Sequence, residues 1–165
     1  MNLKRSRPIP ATIGLFFGGV WGVFGAQALP HGWQMPGIAG AVLVTAALIL
    51  LLWRSDGEEG GAGGLFRRRT YYAAVAFEVA AIVAANLLLS RFGLQAYALQ
   101  ILGMIIGLHF IGLWKASGMA RFLGIAAAMV LVSLGACALP VPLRDMVTGF
   151  GNALVLWFGA ARGRR

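Results

Sequence analysis

Apolar runs of 16–21 residues follow one another along almost the whole chain, at 11–29, 37–53, 71–89, 94–114, 119–139 and 146–161. Each is close to the roughly 20 residues that an α-helix needs to cross about 30 Å of hydrocarbon. The expected fold class is therefore all-α, a polytopic membrane helical bundle with six transmembrane helices in one domain, 1–165. Only 12% of residues are charged and 59% are hydrophobic, with mean hydropathy +0.80. A soluble domain carries about 25% charged residues, so no separate soluble domain is expected. The one polar stretch is a glycine-rich linker, 54–69, which lacks the Lys-Ser/Thr of a phosphate-cradling loop.

The net charge of +9 would suggest nucleic acid in a soluble protein. Here the cations sit at the ends of apolar runs, which is the mark of membrane orientation, and nucleic acid is excluded as a partner. With the N-terminus in the cytoplasm, twelve of the fourteen basic residues fall inside and only Arg91 and Arg144 fall outside. The inside set begins at Lys4, Arg5 and Arg7, and continues through Arg54, Arg67, Arg68 and Arg69. Lys115, Arg121, Arg162, Arg164 and Arg165 complete it. A bias toward Arg, Ala and Gly suits a GC-rich bacterial genome. The expected location is the bacterial cytoplasmic (inner) membrane, multi-pass, with both termini cytoplasmic. The partners are the lipid bilayer and its anionic lipids at the cytoplasmic face. Trp53-Arg54, Trp114-Lys115, and Trp157 with Arg162 beyond it, fit interfacial anchors at the cytoplasmic ends of three spans.

Pro8 and Pro10 are expected to hold back the first helix. Ala26-Gln27-Ala28, after a basic start and an apolar middle, resembles a signal-peptidase site. Against cleavage, Gly14, Gly18, Gly22 and Ala26 fall four apart and line one helix face that a neighbour can approach closely. Gly103 and Gly107 make a second such step. These faces lead to the expectation of a homo-oligomer or a larger membrane assembly. The single Cys137 cannot form an internal disulfide.

Two residues well inside the spans, an acid and an imidazole, stand out as ionisable. Glu78 lies in YYAAVAFEVAAIVAANLLL and His109 in LQAYALQILGMIIGLHFIGLW. An ionised group at mid-bilayer costs about 2.5–3.5 kcal/mol on insertion scales, so each needs a partner or a neutralising proton. The third and fourth spans are joined by a tight turn, Ser90-Arg91-Phe92-Gly93, and must run antiparallel. At about 1.5 Å per residue, Glu78 lies on the order of 10–12 Å in from Tyr71, and His109 roughly 7–8 Å in from Trp114. They share one depth. Asn86 and Gln100 match in the same way further out, and Asn152 of the sixth span is expected to join this second polar layer. Either layer can be an interhelical register bond, or the first can be a protonatable pair facing a cavity. Thr45, Ser133 and Thr148 can return their hydroxyls to their own helix backbone. No metal site is expected, since one Glu and one membrane His are too few ligands and His31 sits at the opposite face. No cofactor is implied. There is no Ser-His-acid set, carboxylate dyad or HExxH, and no enzyme is expected.

Around Glu78 in VAFEVAAIVAANLLL and His109 in IIGLHFIGLW, the chain resembles a family of small six-helix bacterial integral membrane proteins of unknown function. Those carry an acidic residue in the third helix and a G-L-H-F segment in the fourth, commonly followed by a Pro that here is Gly112. The resemblance covers about 45 residues, points to Glu78 and His109, and implies no activity. The expected function is a non-enzymatic membrane component that packs with itself or a larger assembly. The alternatives are a small proton-linked transporter or channel using Glu78 and His109, and an accessory to a lipid-modifying enzyme.

Overall fold

A computed structural model describes residues 9–54 and 69–161. Its helices are α1 (Ile9–Gln27), α2 (Gln34–Arg54), α3 (Arg69–Phe92), α4 (Ala98–Ser117), α5 (Arg121–Ala136) and α6 (Leu143–Ala161). Short 3-10 turns at His31–Trp33 and Gln95–Tyr97 precede α2 and α4, and no strand occurs among the described residues. Lys4, Arg5, Arg7, the linker between Arg54 and Arg69, and Arg162, Arg164 and Arg165 lie outside the described residues.

The element ends follow local chemistry, in one case against expectation. Pro10 does not hold back α1 but lies within it. Pro36 sits in the first turn of α2, where the missing N–H is no loss. The first hairpin is tied by Gln34, whose side-chain amide donates to the carbonyls of Gln27 and Leu29, both at 3.0 Å. That caps orphan carbonyls at the end of α1. Gly93 (φ 67°) and Gly118 (φ 75°) take the left-handed conformation that closes α3 and α4.

Each helix packs antiparallel on the next, except that α2 and α3 share no substantial contact. The strongest pairing joins the two ends of the chain, α1 on α6. In space the order is α2, α1, α6, α5, α4, α3, a row with α2 and α3 at its flanks. The core lies along the middle of the row, where Trp21, Phe122, Ile125, Met129 and Leu156 interlock. No residue of α3 is buried.

Large apolar side chains point outward from every helix, among them Phe16, Leu43, Leu87, Leu108, Leu131 and Phe158. A continuous apolar exterior of this kind suits lipid rather than water. Among the described residues three helices are long and apolar enough to cross a membrane: His31–Arg54, Arg69–Phe92 and Gln95–Ser117. They support a membrane protein. Six spans are not shown by length and composition among the described residues, and part of the reason is visible. The apolar α5 has only 16 residues, about 24 Å of rise. α6 spends composition on Arg144, Asp145 and Asn152, of which Arg144 and Asn152 are buried against other helices.

Candidate functional site

α3 and α4 approach each other closely at Gly112, where an added Cβ would run into the methyl group of Ala74. The bare glycine backbone lets α3 settle onto α4 one turn away from His109. As a result His109 Nδ1 lies 3.2 Å from Glu78 Oε2 and 3.3 Å from the carbonyl oxygen of Ala74. Two oxygen acceptors on one ring nitrogen require that nitrogen to carry a proton and donate it. The Ala74 carbonyl, which can only accept, fixes the choice. The side chains are 10% exposed for His109 and 21% for Glu78, so the pair is neither sealed in the core nor turned to the exterior.

Beside the pair lies a partly enclosed cavity of about 310 Å³, at the lower end of the range for small-molecule sites. Five helices bound it. α3 contributes Tyr71, Val75 and Glu78, and α4 contributes Ile106, His109 and Phe110. α5 adds Arg121, while the walls from α1 and α6 are apolar. The cavity lies at the end of the bundle where α1, α3 and α5 begin and α4 and α6 finish. Arg121 entered the sequence reading only as a topological charge. Here its Nε is buried with no hydrogen-bond partner, and its guanidinium carbon lies 5.2 Å from the centre of the Phe122 ring.

The second polar layer divides. Gln100 is fully buried but faces α6 rather than α3. Its amide donates to Asp145 Oδ1 at 2.9 Å and Thr148 Oγ1 at 3.0 Å. Asn152 is also fully buried and donates to Ser133 Oγ of α5 at 3.1 Å. Asn86 joins neither; it is exposed on α3 and borders a separate small apolar groove with Ile101 and Ile105. Matched depth across a hairpin holds for any pair at that level. Helical phase decides which pairs meet, and Gln100 is turned away from α3. Thr148 and Ser133 do more than cap their own helix. Thr148 returns its hydroxyl to Arg144 O at 2.8 Å and also accepts from Gln100. Arg144 is buried, its guanidinium 4.3 Å from the centre of the Tyr97 ring. The signal missed was the spacing of Arg144, Thr148 and Asn152, four apart on one face of α6.

No known protein family, curated protein or solved structure matches the chain.

The glycine faces are used inside the chain. Gly18 and Gly22 receive the indole of Trp157, and Gly22 also meets Ala41. Gly14 faces Ala160, Gly103 faces Ser133 and Asn152, and Gly107 faces Met129 and Val130. The expectation of a homo-oligomer through these faces therefore loses its basis. Of the three expected Trp anchors only Trp53 is exposed, and it donates to Thr12 Oγ1 at 3.1 Å. Trp114 and Trp157 pack against the core. Among the described residues no three His, Cys, Asp or Glu side chains converge.

Proposed function

We propose that this chain is a small multi-pass carrier of the bacterial inner membrane that moves its substrate together with protons. In this reading all six helices span, both termini face the cytoplasm, and Glu78 with His109 is the proton-exchanging centre. One observation carries it: the only Glu–His pair among the described residues forms part of the wall of a cavity bounded by five helices. A pair that served only to fix helix register has no need of space beside it. The sequence reading of a component that packs with itself rested on glycine faces, and those are covered by α2, α5 and α6. The positive-inside bias supports the orientation, which puts the cavity at the cytoplasmic end.

The test is solute-driven proton movement in sealed vesicles holding the purified protein and a pH-sensitive dye. Inward gradients of organic anions, organic cations and neutral solutes are imposed in turn. At least one class should change internal pH in wild-type vesicles, and Glu78→Gln should abolish that change while keeping the same thermal transition. If no class moves protons in a Glu78-dependent way, the carrier reading is wrong.

A further inference from the structure

We infer that the cavity takes a monoanionic amphiphile, its head on Arg121 and its tail along the apolar walls, and that one proton enters the Glu78–His109 pair with each anion bound. This rests on the carrier reading and names its substrate class. The polar groups in the cavity wall are few: Tyr71 and Glu78 from α3, His109 from α4 and Arg121 from α5. The described wall residues of α1 and α6 carry no polar side chain. Glu78 and His109 meet each other, whereas among the described residues no acid pairs with Arg121, which lines the same cavity. A guanidinium without an acid partner recognises an oxyanion. Tails are accommodated by Ile13, Phe17, Val75, Ile106 and Leu156 around the same space.

Charge balance supplies the proton. In a low-dielectric site a net charge is costly and a neutral set is favoured. With one negative charge shared by the hydrogen-bonded Glu78–His109 pair and one positive charge on Arg121, the empty site is neutral. A bound monoanion adds one negative charge, and a single proton taken onto the Glu78–His109 pair restores neutrality. The bilayer gives access. α1 and α3 flank the cavity without substantial contact, and Ile13 and Phe17 at its rim are 41% and 50% exposed. An organic cation would face Arg121, and a wholly polar anion would leave the apolar walls without a partner.

The experiment is calorimetric titration of octanesulfonate, a permanently charged probe, into the full chain in phosphatidylcholine nanodiscs. Runs in two buffers of different ionisation enthalpy count the protons exchanged. Wild type should bind saturably with uptake of about one proton per anion. Arg121→Gln should weaken binding about tenfold or more, as expected for loss of a charge-assisted hydrogen bond. Glu78→Gln leaves the empty site with one net positive charge, so it should bind at least as tightly and take up no proton. Such retained binding also certifies that the variant is folded. Methanesulfonate, lacking the tail, should bind far more weakly, and octyltrimethylammonium should not bind. Arg121→Gln binding like wild type, zero proton uptake by wild type, methanesulfonate binding as well as octanesulfonate, or Glu78→Gln weakening binding would each overturn the inference. Glu78-dependent proton movement driven only by a cationic or neutral solute would sink this anion site and leave the carrier standing. No such movement with any solute would remove both.

Discussion

Along α1 and α6 the backbones nearly touch, whereas α3 leans on α4 alone and buries none of its residues. At the α1–α6 crossing Gly149 meets the backbone of Gly25, and Trp157 lies over Gly18 and Gly22. The polar residues held there, Gln100, Ser133, Thr148 and Asn152, are fully buried and bonded to one another across helices. On the α3 side Glu78 and His109 are mostly but not fully covered and lie beside a cavity. The same kind of residue thus does two jobs. Polar groups enclosed by close backbones hold helices in register, and the polar groups at the loosely covered flank border open space, where the proposed function puts them to use. The contrast predicts that damage to the first region costs stability and damage to the second costs transport.

The hardest blow to the tight side is Gly149→Val. Its side chain meets Gly25 backbone atoms that cannot rotate away, and a loss of about 3 kcal/mol or more is expected. Denaturant titration in detergent micelles checks it, and a wild-type midpoint would show that the crossing is looser than described. Gln100→Leu comes next. It removes the bonds to Asp145 and Thr148, for a loss of about 1–2 kcal/mol. Solute-driven proton movement should survive in whatever fraction stays folded. Gly112→Val should cost about 1 kcal/mol or less, because α3 contributes no buried residue, yet it pushes Ala74 away and separates Glu78 from His109. Proton movement should then fall at least as far as in Glu78→Gln, read in the same vesicles. The smallest stability effect belongs to Glu78→Gln itself, within about 1 kcal/mol, since a neutral amide still accepts from His109. A variant in which stability and transport fell in proportion would erase the distinction between the two sides.

How much of this could be read from the sequence follows from what each signal encodes. Apolar run length located six helices to within a few residues, because it is set by local composition. Depth matching found Glu78 opposite His109, because a short turn at Ser90–Gly93 leaves an antiparallel hairpin little choice of register. The same device failed for Asn86 and Gln100, since depth carries no information on rotation about the helix axis. The partner of Gln100 lies on α6, 45 residues away at Asp145, and no local pattern reports a contact of that range. Arg121 was hidden by a second meaning. At the start of a span a cation is expected for orientation alone, and only its place in the wall of a cavity sets it apart from Lys115, which is exposed.

The pairing of α1 with α6 also sets a schedule. Synthesis runs from the N-terminus, so α1 is complete long before α6 has left the ribosome. Until then the grooved flank with Gly18, Gly22 and Gly25 lacks Trp157 and the α6 backbone that fill it. The α1–α6 crossing therefore closes after the other helices have been made, and a nascent chain halted before Gly149 has nothing to lock.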